Sequence, residues 1–229
     1  MSRCGTGMDN VDLEFAKSRD ILVVNTPFGP TRSVAELTLG LILDLLRQMS
    51  RMDRELRSGI WKKRMGRLLL GKKIGIVGMG RIGQAVTDML VPLGTQIAYT
   101  DPNYEHTNFR RMSLIDLLSW ADIITLHCSK PKGEKPLLSE TELSRMAFGS
   151  LLINAGRGGL VDEDALYKLL KSGHLSGAAL DCFGREPYIG PLSTLENVIL
   201  TPHIGSYARE GRVQMEMDAV KNLINALGL

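Results

Sequence analysis

Three short segments place reactive side chains in turns bounded by glycine or proline, each following a β-branched or apolar run. Arg157 stands in Asn154-Ala155-Gly156-Arg157-Gly158-Gly159, Glu186 in Asp181-Cys182-Phe183-Gly184-Arg185-Glu186-Pro187, and His203 in Thr201-Pro202-His203-Ile204-Gly205. A guanidinium offers a planar fork to a carboxylate. An imidazole moves a proton near neutral pH, and a neighbouring carboxylate favours its charged form. Together the three could hold an acid, polarise a carbonyl and shuttle a proton. Each alone reads equally well as a solvated loop residue. Of the four histidines, His106 and His174 lie in polar or glycine-bounded contexts, while His127 ends an apolar run and is either structural or part of a cleft.

A fourth segment, Gly78-Met79-Gly80-Arg81-Ile82-Gly83, follows the apolar run 73–77 and opens a helical pattern. In such a GxGxxG turn the first glycine permits the tight bend, the second lets backbone approach a pyrophosphate, and the third lets helix and strand pack closely. The helix N-terminus adds unpaired N–H groups and a partial positive charge. Asp101 lies 18 residues after Gly83, near the spacing of a ribose-binding carboxylate. Pro102 follows it with no arginine alongside, so NAD is expected rather than NADP.

The elements that must carry these turns are short strands alternating with helices. Strands are predicted at 21–24, 73–77, 96–99, 123–126, 151–153, 178–180 and 198–200. Capping boxes at Ser33…Glu36 and Ser139…Glu142, with a shorter-armed version at Ser113…Asp116, mark helix starts. Nearly continuous apolar strands between helices imply a doubly wound parallel α/β sheet covered on both faces. A long helix is expected over 33–57, apolar all round in its first half. Its Arg- and Met-rich second half is either a core helix emerging into solvent or a dimer contact.

Composition narrows the class. The 229 residues are 44% hydrophobic and 23% charged, with a net charge of +3. That is too weak a balance to suggest nucleic acid or a membrane surface. Three cysteines (Cys4, Cys128, Cys182) without CxxC spacing argue against disulfides and a metal site and fit a reducing cytoplasm.

Taken in order, the GMGRIG loop, Asn154-x-x-Arg157-Gly158, Asp181-x-Phe183-x-x-Glu186-Pro187 and Pro202-His203-x-Gly205 resemble the successive motifs of the D-2-hydroxyacid dehydrogenases. Upstream, Gly5-Thr6-Gly7-Met8-Asp9-Asn10-Val11-Asp12-Leu13 and Asn25-Thr26-Pro27 are most similar to the phosphoglycerate dehydrogenase branch. The resemblance implies hydride transfer between NAD and a small D-2-hydroxy or 2-oxo acid, with 3-phosphoglycerate the first candidate and glyoxylate or hydroxypyruvate the alternative. A non-catalytic NAD(H)-binding or corepressor-like protein is the reading from another class. The implied catalytic set is Arg157, Glu186 and His203. The implied cofactor contacts are Gly78, Gly80, Arg81, Ile82, Gly83, Asp101, Cys128, Ala155, Asp181, His203 and Gly205, and a homodimer is expected.

The same resemblance divides the chain into a Rossmann domain over 27–205 and a remnant of a flavodoxin-like substrate domain at 1–26 and 206–229. Because the sequence begins almost at the Gly5 segment, an N-terminal truncation is expected, with normal NAD binding and impaired turnover. One strand, near 21–24, is all the sheet expected outside the Rossmann part.

Overall fold

The computed structural model describes residues 1–106, 108–130, 133 and 135–228. In chain order the elements are β1 (Ser2–Arg3), α1 (Leu13–Ser18), β2 (Val24–Asn25), α2 (Gly29–Arg47), α3 (Met49–Arg57), β3 (Lys73–Val77), α4 (Arg81–Leu90), β4 (Gln96–Thr100), β5 (Arg110–Arg111), α5 (Leu114–Trp120), β6 (Ile123–Leu126), α6 (Glu140–Leu143), β7 (Leu151–Asn154), α7 (Glu163–Lys171), β8 (Gly177–Leu180), β9 (Val198–Leu200) and α8 (Arg209–Leu227). They form two units, residues 36–203 and residues 1–35 with 204–229.

The larger unit holds a seven-stranded sheet in the order β5-β4-β3-β6-β7-β8-β9, with every pair parallel. This is the doubly wound architecture expected from the alternating pattern. The strand order reverses between β3 and β6, and a crevice at the C-terminal ends of those strands is where ligands of open α/β sheets bind. Strands β6, β7 and β8 are buried at every residue. That is why they read as unbroken apolar runs rather than as alternating ones. The core behind them is aliphatic, built on residues such as Leu117, Ile124, Leu152 and Leu166.

The helix starts divide. Ser139 and Glu142 form the capping box as read, and Ser113 accepts the Asp116 N–H. At Ser33 the reading fails, because α2 begins one turn earlier at Gly29. Pro30 explains this: its fixed φ and missing N–H suit the first turn of a helix. The single helix expected over 33–57 is also two. Gln48 takes a left-handed conformation (φ 54°), and Asp44 then caps α3 by accepting the Ser50 N–H at 2.8 Å and the Ser50 hydroxyl.

In the smaller unit β1 and β2 pair in parallel, Ser2 with Val24 and Arg3 with Asn25. The expectation of one strand there is therefore corrected. A two-residue strand is too short to leave a periodic signature. It is fixed instead by contacts beyond the ladder, such as the Gly5 N–H to Thr26 Oγ1 and Asn25 Nδ2 to the Thr6 carbonyl. Helix α8 crosses the start of α2 closely. A Cβ on Gly211 would stand 2.2 Å from Ser33 Oγ, and one on Gly29 would stand 2.5 Å from Met215 Cγ. No helix of the described residues is long and apolar enough to cross a membrane.

Candidate active site

Strand β3 ends at Val77, and Gly78 turns the chain with φ 94°. A side chain there would be strained and would also sit 2.7 Å from the Cys128 nitrogen on the neighbouring strand end. A Cβ on Gly83 would lie 2.1 Å from the Gly78 carbonyl oxygen, so this glycine sets how closely α4 approaches the turn. Gly80 is the opposite case: nothing lies within 4 Å of where its Cβ would be, and as N-cap of α4 it makes no side-chain cap bond. The loop is thus tight where it must fold and open where a phosphate would approach a helix N-terminus. This fits a dinucleotide pyrophosphate. Arg81 is exposed, Ile82 half-buried and Gly83 buried in the first turn of α4.

Asp101 stands just past β4, and its carboxylate already accepts backbone bonds: Met79 N–H at 2.8 Å, Asn103 N–H at 2.8 Å and Tyr104 N–H at 3.0 Å. It therefore ties the glycine loop to the next strand end. A carboxylate offers about four acceptor sites, so these bonds do not exhaust it. No arginine neighbours Asp101 in sequence, yet Arg111 on β5 donates to the carbonyls of Asp101 at 2.7 Å and Pro102 at 3.2 Å. The pairing of β5 with β4 brings it there, and two consecutive arginines give no strand signal.

At the end of β6, Cys128 is partly buried, and burial pushes its thiol up to about 11, so it stays neutral. His127 beside it shares 2.9 Å with Thr125 Oγ1 through Nε2, and its Nδ1 is buried without a partner among the described residues. Burial pushes its pKa down to about 3. The folded ring thus stays neutral where the unfolded chain, with an ordinary value near 6.5, takes up a proton. Stability should fall as pH drops from about 6.5 towards 3, by about 1.4 kcal/mol per unit at most. Urea unfolding across that range should show the loss, and His127→Gln should flatten it.

Beyond β7, Asn154 braces the next turn, donating to the Arg157 carbonyl at 3.0 Å and accepting the Gly156 N–H at 3.2 Å. Ala155 is buried in this turn, and the Arg157 guanidinium donates to the Gly156 carbonyl at 2.8 Å. Gly158 could not have been singled out from sequence. A Cβ there would lie 1.8 Å from the Phe183 carbonyl oxygen, so the Arg157 turn packs directly on the backbone of the Asp181–Glu186 segment.

That segment is held from several sides. Asp181 is buried and accepts the Thr201 hydroxyl at 2.6 Å. Glu163, on the first turn of α7, accepts the Gly184 N–H at 2.7 Å, and burial raises its pKa. Glu186 accepts the Phe183 N–H at 3.1 Å and faces His203, whose Nδ1 lies 3.1 and 3.0 Å from its two carboxylate oxygens. The two side chains are 40% and 52% exposed, so the imidazole's far edge can be reached by a ligand. His203 has φ 54°, a left-handed conformation unusual for a residue with a side chain. Burial pushes the Cys182 thiol up to about 12; Asp181 and Glu186 add to this and Arg157 opposes it, which puts these charges around one buried sulfur.

The adjacent ends of β7, β8 and β9 thus carry the Arg157 turn, the Asp181–Glu186 segment and His203, and the glycine loop follows β3, one strand further along beyond β6. Glu186 and His203 are in direct contact. The Arg157 turn packs on the backbone of the Glu186 segment at Gly158. Gly205 is buried in the smaller unit. Thr201 and Glu163 were missed. Thr201 stood in the quoted turn without a partner to suggest its bond, and Glu163 read as an ordinary acidic residue of a helix's first turn.

The fold and the glycine loop define a dinucleotide-binding α/β domain. Residues 39–205 match the family model of the D-isomer specific 2-hydroxyacid dehydrogenase NAD binding domain, and the chain belongs to that family. It is 37% identical over 235 residues to a D-3-phosphoglycerate dehydrogenase of Mycobacterium leprae, covering 99% of this chain but 44% of that protein. It is 35% identical over 237 residues to a hydroxypyruvate reductase of Thermotoga maritima, covering all of this chain and 78% of that one. The crystal structure of the TT0316 protein from Thermus thermophilus superposes with a TM-score of 0.93 at 39% identity, over 98% of this chain and 74% of that one. The chain therefore spans less than half the length of the phosphoglycerate dehydrogenase it matches.

Proposed function

We propose that the chain is an NAD-dependent oxidoreductase acting on a small D-2-hydroxy or 2-oxo acid, with 3-phosphoglycerate the first candidate. The observation that carries this is the His203–Glu186 pair, half-exposed at a strand end beside the Arg157 turn. When bound, NAD supplies the nicotinamide carbon that accepts or returns the hydride. Everything else falls to the protein. With Nδ1 donating to Glu186, Nε2 of His203 is the end that takes the hydroxyl proton as the C–O bond becomes a carbonyl, and returns it in reduction. Glu186 orients the ring by accepting from Nδ1. Arg157 turns its fork to the substrate's carboxylate and polarises the carbonyl oxygen. Asp181 is assigned to the cofactor's carboxamide and Asp101 to its ribose, where a carboxylate disfavours a 2′-phosphate. The Rossmann domain is assigned to 27–205.

We assign a homodimer to the exposed stretch beyond α3, where Ile60, Trp61, Met65, Leu68 and Leu70 all face solvent in the single chain. Exposed apolar side chains gathered in one stretch mark an interface, even with the basic residues Lys62, Lys63, Arg64 and Arg67 among them. Three free cysteines suit a reducing compartment such as the cytoplasm. Hydroxypyruvate is the second substrate reading, supported by the relative of which the chain spans 78%.

The test is a fluorescence titration with NADH on a sample whose mass is measured by light scattering. Hydroxypyruvate, glyoxylate and 3-phosphohydroxypyruvate are then added in turn. Saturable binding with oxidation of NADH by one acid supports the reading. A sample that does not bind NADH sinks it.

A further inference from the structure

Lys130 lies four residues beyond the end of β6, between the strand end that carries the glycine loop and the one that carries Arg157. Lysines in exposed loops ordinarily extend into water. This one is exposed too, but its stem lies along the Arg157 turn. The Cβ that Gly159 lacks would be 3.1 Å from Lys130 Nζ, 3.4 Å from Cε and 3.6 Å from Cδ. Gly159, at φ 72°, therefore leaves room for the lysine stem. The ammonium makes no hydrogen bond or ion pair with the described residues, whereas the carboxylates of this region are engaged elsewhere. Asp181 holds Thr201, Glu163 holds Gly184, and Glu186 holds His203.

Two cations of different kind thus stand at neighbouring strand ends. The planar fork of Arg157 suits a carboxylate, and the compact ammonium of Lys130 suits a phosphate as a point charge. We propose that Lys130 binds the phosphate of a phosphorylated 2-hydroxy acid whose carboxylate is held by Arg157, making it the residue that separates phosphorylated from plain substrates. The inference rests on the reading of the site given above. Phosphate also occurs in the dinucleotide, but the lysine is laid towards Gly159 after β7, not towards the helix start at Gly80 that suits the pyrophosphate.

The test needs no turnover. Dead-end complexes are titrated with 3-phosphoglycerate or with glycerate on the NADH-saturated protein, using the wild type, Lys130→Met and Lys130→Arg. Loss of one charge-assisted contact predicts that Lys130→Met weakens 3-phosphoglycerate by roughly tenfold or more, with glycerate and NADH each within about twofold. Lys130→Arg should retain most of the phosphate preference. Equal weakening of both acids, or no change in either, overturns the proposal. Weakening of NADH alone assigns the ammonium to the cofactor's pyrophosphate and overturns it too. A wild type that binds NADH but neither acid overturns the functional reading itself, an outcome distinct from the others.

Discussion

His203→Asn should lower kcat by about 10²–10⁴ while leaving NADH affinity within a few-fold, because it removes the group that exchanges the substrate proton and little else. Asparagine is the informative replacement. His203 sits at φ 54°, a region that asparagine tolerates far better than alanine or a branched residue, so the turn should survive. The other histidine at a strand end cannot substitute. His127 is buried, with a pKa pushed down to about 3, and remains a neutral ring throughout any useful assay range. Glu186→Gln should be milder than His203→Asn, since it leaves the imidazole in place and removes only its charged partner. The check is single-turnover oxidation of NADH with the preferred 2-oxo acid, alongside a fluorescence titration of NADH. A His203→Asn protein that keeps more than a tenth of the wild-type rate would move the acid–base role to another residue.

Much of this arrangement was legible because its parts obey local rules. The loop from Gly78 to Gly83 has its three glycines in three different steric situations, and each follows from its place in the turn. The buried strands β6, β7 and β8 announced themselves as apolar runs, and the Ser139 box marked α6 where it begins. What stayed hidden depends on contacts between segments distant in sequence. Arg111 comes to lie beside Asp101 only because β5 pairs with β4, and two arginines in a row carry no strand signal. The pairing of β1 with β2 spans two residues on each side, too few for any period to appear. The break at Gln48 needs a left-handed residue inside an otherwise helical pattern, and no glycine advertises it. For the site, the residue types were readable but the bracing was not. Thr201, Glu163 and Gly158 act on partners about 20 or more residues away, at distances set by tertiary packing.

Gly158 is where that bracing should be most sensitive. Gly158→Ala adds a single methyl group, but the methyl would lie 1.8 Å from the Phe183 carbonyl oxygen and 2.4 Å from its carbon. Neither atom is the movable tip of a side chain. Relief requires the Arg157 turn and the Asp181–Glu186 segment to separate by an ångström or more. Asn154, Asp181 and Glu163 hold these segments through their own hydrogen bonds, so displacement strains those bonds as well. Overpacking of this kind costs about 1–3 kcal/mol of stability. The effect on catalysis should be larger, because a shift near 1 Å in a reacting geometry can cost on the order of 10²-fold in rate. The expected result is a folded protein with a lowered Tm, NADH binding weakened far less than catalysis because the glycine loop is untouched, and kcat/KM for the 2-oxo acid reduced by about two orders of magnitude. Thermal unfolding followed by circular dichroism, with NADH titration and steady-state kinetics on one preparation, separates the three quantities. If Tm and kcat/KM were both unchanged, the two segments would have to part freely, and Arg157 would not depend on this contact for its position.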